Sequence, residues 1–416
     1  MSVPGEIVRV AARGDGVTAD GRHVAGAAPG DVLGADGVLV PGPQHVAAAC
    51  RHFGVCGGCR LQHLSDAALG DFVRDRVVHG AIGQGLAPES VAPVHLSPAG
   101  ARRRATLHAA RVNGRVEVGF HEAAAHRIVD MAECPVLAPE LFALVAPLRK
   151  MLARTGSGQD GKARKRGPGG GGPARLAVDI GLALSDQGPD VTLSGLTVEG
   201  LAATEGWLEF AQANGVARLT IDQGYGPEPL WEPVPVTVTL GGVPVSLPAG
   251  AFLQATRDGE AALVGAAVAW LAGVPVVADL FSGLGTFSFA LAAAGAKVLA
   301  AEADQRAHLA CKSAAGAARL PIAAVHRDLF RNPLLGEELD RFGGVVLDPP
   351  RAGARDQIGW LAQSQVARIV YVSCNPASWA RDAATLVAAG WRLAELRPVG
   401  QFRWSTHVEL ASLFVK

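Results

Sequence analysis

The sequence predicts an α/β chain in three parts. A doubly wound, mostly parallel sheet occupies 249–416, a mixed α+β block 47–248, and a small β-barrel 1–46. Three observations predict this. From about residue 249, strand-like runs (VPVVADLF, KVLAAEA, IAAVHRDL, GGVVLDPP, ARIVYVSC) follow one another, the earlier ones separated by Ala-rich helical stretches, which is the signature of βαβ units. Before residue 46, short Val-rich runs alternate with GDG, ADG and PGD turns, as in a small all-β module. Between the two lie a cysteine-rich turn, a helix and longer strands of different texture.

In chain order, the barrel comes first and carries balanced charge, so it reads equally well as a structural cap or as an RNA-binding module. The central block opens on ACRHFGVCGGCRLQH. A helix is expected from Ser65 to about Ile82, and strands at RATLHAARV and RVEVGFHE. An insertion over 154–175 holds eight glycines and six basic residues against one acid. Such a segment cannot bury a core and is expected to be disordered.

Composition limits the function classes. Lys+Arg and Asp+Glu number 38 each, so net charge gives no support to nucleic-acid binding and any such claim needs local patches. The most apolar uncharged run, 261–278, just reaches membrane-span length, but two glycines and a proline break it into a helix, a turn and a buried strand. With six cysteines in 416 residues the chain is no disulfide scaffold. A cytoplasmic, reducing location without membrane association is expected, and the chain is expected to be a monomer.

Cys50, Cys56 and Cys59 are spaced C-x5-C-x2-C, and Cys134, followed by Pro135, comes after a further 74 intervening residues. Three close thiolates plus one remote thiolate suit an iron–sulfur cluster. Structural zinc more often uses two close cysteine pairs. Free thiols are the remaining alternative.

DLFSGLGTFS (279–288) places Gly283 and Gly285 in a strand-to-helix turn that lets a ligand approach the backbone. Glu302, 23 residues after Asp279, stands where an acid holds a ribose diol. With no third motif glycine and no Lys-Ser/Thr pair, a nucleoside-type cofactor such as S-adenosylmethionine is favoured over a dinucleotide. Asp348 ends the strand before Pro349-Pro350, and Cys374 ends the next one (YVSCNP), so one mouth presents a carboxylate and a thiol. Cys311 has no partner motif and reads as packing. Glu409, taken alone, reads as a solvated strand-end carboxylate.

Together these residues resemble the bacterial RNA (uracil-5-)-methyltransferases, in particular the iron–sulfur-containing 23S rRNA branch. The motifs that carry the resemblance are the C-x5-C-x2-C loop with QHLS, RRRATLH, Cys134-Pro135, DLFSGLGTF, DPPRAG, YVSCNPASWARD and HVE. The resemblance spans nearly the whole chain. It implies a class I methyltransferase sheet, a central iron–sulfur and RNA-binding domain, and a TRAM-like N-terminal barrel. It implies that Cys50, Cys56, Cys59 and Cys134 hold a [4Fe-4S] cluster. S-adenosylmethionine would contact Gln254, Phe281, Thr286, Glu302, Asp328 and Asp348, Cys374 would be the nucleophile, and Glu409 the base that removes the carbon-5 proton. The RNA partner would be 23S rRNA rather than tRNA, because the tRNA branches lack the four cysteines. Arg102, Arg103, Arg104, Arg111, Arg115 and Arg127 form a local basic excess expected to meet phosphates.

The chain departs from the family pattern at Ser282 (often Cys), Thr286 (often Asn), Gly400 (commonly Asp) and Arg403 (commonly Pro). Two rival readings are a base methyltransferase of another specificity and a catalytically silent RNA-binding factor. Neither has a use for both Cys374 and Glu409.

Overall fold

The computed structural model describes residues 5–154 and 176–416. The insertion expected to be disordered therefore lies outside the described residues except for Arg154, which ends the helix Val145–Arg154.

The C-terminal sheet is built as the alternation predicts. Its strands are β1 (Val276–Leu280), β2 (Lys297–Glu302), β3 (Ile322–His326), β4 (Gly344–Leu347), β5 (Arg368–Ser373), β6 (Arg392–Gly400) and β7 (Glu409–Val415). They lie side by side in the order β3-β2-β1-β4-β5-β7-β6. The first five run parallel, and β7 is antiparallel to both β5 and β6. Residues 344–347 are all buried, as a central strand covered on both faces requires. Helix Arg257–Trp270, capped by Thr256 accepting from the Gly259 N–H, precedes β1. With β1 it accounts for the uncharged run that had raised a membrane question, and among the described residues no helix is long and apolar enough to cross a membrane.

Tertiary packing moves a piece of the predicted central block onto this sheet. The expected helix runs Asp66–Ile82, with Ser65 as its N-cap, and buries Leu69, Phe72 and Val77 in the same apolar cluster as Trp379 and Trp391. The short strands Ser90–Val91 and His95–Leu96 then pair in parallel with β6 and extend the sheet edge. The hairpin Thr237–Leu240/Val243–Ser246 also packs its Val238, Leu240 and Val245 against Leu284, Phe289 and Cys311 of the C-terminal part. Cys311 is buried packing, as its sequence context suggested.

Much of the remaining central block forms a six-stranded sheet in which strand Arg104–Val112 lies next to the edge strand Arg115–Gly119. Alternation along that strand sends Ala105, Leu107 and Ala109 into a core with Leu148, Leu152, Trp207 and Phe210 from two covering helices. One buried ion pair, Arg218 to Asp190 at 2.6 Å with a second bond at 2.9 Å, joins neighbouring strands in this block. At the N-terminus the five short strands make a three-stranded and a two-stranded sheet, joined by a bridge between Glu6 and Val32. Buried Asp31 organises them by accepting from the Ala28 and Gly42 amides and bonding His45.

Candidate functional site

A cleft of about 550 Å³ opens outside the carboxyl ends of β1, β2, β4 and β5, where an open α/β sheet places its ligands. Eight residues singled out from the sequence line it together: Gln254, Phe281, Thr286, Glu302, Asp328, Asp348, Cys374 and Glu409.

The glycine loop forms the floor. Gly285 is left-handed (φ +93°), and a Cβ there would stand 2.8 Å from the Phe289 ring and 2.9 Å from the Cys311 sulfur, so only glycine fits. Phe281 is also held at positive φ (62°), a strained state for a residue with a side chain, and its ring lies 5.4 Å from that of Phe330 at the cleft. Glu302 ties the loop to β2, accepting from the Gly283 amide (2.8 Å) with one oxygen and the Asp304 amide (2.7 Å) with the other. Thus Glu302 both lines the cleft and fixes the loop. Beneath it, burial pushes the Asp279 carboxyl up to about 7 although Ser288 donates to it at 2.6 Å. Asp328 accepts from the Phe330 amide and meets Arg331 at 3.5 Å.

The reactive groups meet through strand register. Ser373, the last residue of β5, pairs with Leu410 of β7 in antiparallel fashion, so Cys374, just after β5, and Glu409, just before Leu410, come to the same cleft mouth. Glu409 is only 3 % exposed. This corrects its reading as a solvated carboxylate on sequence pattern alone, because the β7 hairpin folds inward across the sheet. Burial pushes its carboxyl up to about 7, opposed by Gln401 as hydrogen-bond donor and by the charge of Arg104. Asp348 is raised well above the usual carboxylate range, first by burial and then by the Glu409 charge. Burial and then the same two carboxylates push the Cys374 thiol up to about 11, and the Arg351 guanidinium acts against them. Arg351, in the DPPR turn, was not singled out from the sequence although the motif contains it.

The basic cluster does not survive as one surface. Arg103 is buried, donates to the Gln254 carbonyl at 3.0 Å and pairs with Glu260 at 2.5 Å, so it holds the cleft wall instead of facing solvent. Arg104 lies over the Phe252 ring, 4.6 Å from its centre, where the cleft meets the open face of the central sheet.

Cys50, Cys56, Cys59 and Cys134 line one apolar pocket with Phe120 and Arg102, and none is disulfide-bonded. Among the described residues no group of three or more His, Cys, Asp or Glu side chains stands close enough to hold a metal ion. Thiolates that surround a cuboidal cluster stand farther apart than ligands of one ion. The donor chemistry fits such a group: the His52 amide points at the Cys50 sulfur (3.4 Å) and the Gly58 amide at the Cys56 sulfur (3.5 Å), as amides do toward cluster thiolates. Gly57 admits the loop against the chain at His121, where a Cβ would stand 3.0 Å from the carbonyl oxygen.

Comparison with known proteins bears on this geometry. Residues 274–416 match the family model described as tRNA (Uracil-5-)-methyltransferase. A Zymomonas mobilis protein named as an uncharacterized RNA methyltransferase is 46% identical, with 99% of each chain covered. The 23S rRNA (uracil(1939)-C(5))-methyltransferase RlmD of Halomonas elongata is 32% identical, over 89% of this chain and 77% of that one. The crystal structure of the Pyrococcus abyssi tRNA (uracil-54, C5)-methyltransferase in complex with S-adenosyl-L-homocysteine shares the fold, with a TM-score of 0.73 at 22% identity and 99% of this chain and 100% of that chain covered. The chain belongs to the family of S-adenosylmethionine-dependent RNA (uracil-5-)-methyltransferases.

Proposed function

We propose that this enzyme methylates carbon 5 of a uridine in 23S rRNA through a covalent adduct at Cys374, with Glu409 as the base. The observation that carries the mechanism is the pairing of β5 with β7, which brings the thiol and the buried carboxylate to one cleft mouth. Carbon 5 of uracil is a weak nucleophile. The Cys374 thiolate adds to carbon 6, and the electron pair of the 5,6 double bond moves toward carbon 5 and the carbonyl oxygen. Carbon 5 takes the sulfonium methyl from S-adenosylmethionine, which leaves as S-adenosylhomocysteine. Glu409 removes the carbon-5 proton, the double bond re-forms, and the carbon–sulfur bond breaks to release Cys374. Gln254, Phe281, Thr286, Glu302, Asp328 and Asp348 hold the methyl donor in this reading. The base must leave its stack to reach the cleft, at a cost of a few kcal/mol.

Cys50, Cys56, Cys59 and Cys134 hold a [4Fe-4S] cluster in this reading, which would tie the remote Cys134 segment to the N-terminal loop. Their presence, and the 32%-identical relative named for 23S rRNA, favour ribosomal over transfer RNA. The family-model description and the Pyrococcus fold neighbour support transfer RNA as the second reading.

The test is mass-spectrometric mapping of 5-methyluridine in 23S and transfer RNA from cells carrying the wild-type gene, no gene, or Cys374→Ala. Loss of one or more 23S positions in the last two strains supports the proposal. Loss confined to transfer RNA moves the substrate to the second reading, and an unchanged map removes the proposal. Purified Cys374→Ala should still bind RNA but form no adduct with 5-fluorouridine RNA, whose fluorine cannot leave as a proton.

A further inference from the structure

We infer that Arg102 is the counter-charge of the cysteine site, the cation that balances the negative charge of a cluster held by Cys50, Cys56, Cys59 and Cys134 and so raises its reduction potential. The inference rests on the reading of those four thiols as cluster ligands.

Backbone hydrogen bonds lock Arg102 beside the remote thiol. The Gly100 amide donates to the Pro135 carbonyl at 2.8 Å, the Arg102 amide to the Val136 carbonyl at 3.1 Å, and the Ala138 amide to the Arg102 carbonyl at 2.9 Å. Arg102 thereby follows the segment that carries Cys134, and it lines the same pocket as all four cysteines. Its guanidinium carbon stands 6.0 Å from the centre of the Phe120 ring and 5.8 Å from that of Phe402. The Phe120 ring in turn packs on the cysteine loop, because a Cβ on Gly58 would stand 3.4 Å from that ring and 3.5 Å from the Cys56 sulfur. Arg102 Nε donates to the Arg104 carbonyl at 3.0 Å, and among the described residues no carboxylate pairs with Arg102.

The other charges along the pocket wall are accounted for. Glu133 lines the pocket, but it accepts from the Arg51 amide and pairs with the Arg51 guanidinium at 3.2 Å. His52 adds no positive charge in this arrangement: the Ala132 amide can only donate, and it donates to His52 Nε2 at 3.0 Å, so that nitrogen carries no proton. A guanidinium stays protonated at any working pH. One uncompensated positive charge therefore stands at a pocket walled by Phe53, Phe120, Val129 and Met131, where solvent screens weakly. Four thiolates outweigh a positive iron–sulfur core, so what they hold together is an anion, and its reduction adds a further negative charge that a neighbouring cation favours. The rival role for an arginine without a carboxylate is to meet an RNA phosphate, since Arg102 also borders a groove of about 360 Å³ with Arg104 and Thr106. The ties to the Cys134 segment and to Phe120 favour the cysteines.

The test compares wild type purified without oxygen with Arg102→Met, which removes the charge and keeps an unbranched apolar stem, and with Arg102→Lys, which keeps the charge and loses the planar fork. Iron and sulfide per chain and thermal melting check loading and folding, and a redox titration followed by electron paramagnetic resonance gives the midpoint potential. At a fixed potential the ratio of reduced to oxidised cluster should fall about tenfold in Arg102→Met, a shift of about 59 mV for one electron. It should stay within about twofold of wild type in Arg102→Lys, because the charge remains. Equal potentials in all three proteins, or equal falls in both variants, overturn the inference. If Arg102→Met folds without iron, the lysine variant decides: iron retained there supports the charge role, and iron lost there overturns it. If the wild-type cluster resists reduction, iron release to a chelator replaces the potential, and release that is no faster in Arg102→Met than in Arg102→Lys overturns the inference. Weaker RNA binding by Arg102→Met at a wild-type potential assigns Arg102 to a phosphate instead. Wild type that contains no iron removes the cluster reading itself, which separates the two failures.

Discussion

Replacing Glu409 by Gln should stabilise the free enzyme at high pH while stopping turnover. The carboxyl rises from an ordinary 4.5 to about 7 in the folded chain, chiefly through burial. At 1.36 kcal/mol per pH unit, ionising it costs the folded state about 3 kcal/mol relative to the unfolded chain. The sign follows from proton counting. Between pH 4.5 and 7 the folded chain holds a proton that the unfolded chain has lost, so wild-type stability is highest below 4.5 and declines as pH rises through 7. The amide never ionises and has no such loss. The stability gap between Glu409→Gln and wild type should therefore widen by about 3 kcal/mol from pH 4.5 to pH 8 and then level off. Urea unfolding followed by tryptophan fluorescence reads this directly, because Trp379 and Trp391 are fully buried in the same C-terminal core. The same variant should accumulate methylated RNA bound to Cys374, since nothing removes the carbon-5 proton. A gap that stays constant within about 1 kcal/mol across this pH range would refute the reasoning, because it would mean Glu409 ionises as if in water.

Two further outcomes are expected. Gly285→Ala forces a left-handed alanine against Phe289 and Cys311. It should weaken S-adenosylhomocysteine binding about tenfold or more by calorimetry, the cost of an L-residue in that state being about 1–2 kcal/mol before the clash is counted. An unchanged Kd would show that the loop is not the cofactor floor. Wild-type protein purified without oxygen should be brown and contain iron and sulfide. Cys59→Ser should lose both, and iron-free wild type would remove the cluster.

The catalytic half was legible because its chemistry is local. DLFSGLGTFS, DPPR and YVSCNP each end a buried strand, and parallel βαβ order brings strand ends to one edge whatever the intervening helices contain. Gly283, Gly285, Asp348 and Cys374 are therefore readable from short windows of sequence, and all four line the cleft or shape its floor. The helix over Asp66–Ile82 and the strand RATLHAARV were equally legible as elements.

What the sequence could not supply was long-range pairing. Glu409 is 35 residues from Cys374, and its burial exists only because β7 inserts antiparallel between β5 and β6. Gln401 meets Gln254 across 147 positions, and nothing in its own neighbourhood marks it. Arg103 looked like part of a basic surface because its neighbours are basic, yet strand alternation and Glu260 turn it inward. Helix Asp66–Ile82 and the short strands after it looked like part of the central block, but their apolar face matches Trp379 and Trp391, and β6 offered an unpaired edge. By itself, then, the sequence determined which strand ends carry the glycine loop, the carboxylate and the thiol, because those depend on local backbone chemistry. Only the tertiary structure decided which distant groups set their charge and orientation, because burial and hydrogen bonding between remote segments come into being with the packed sheet.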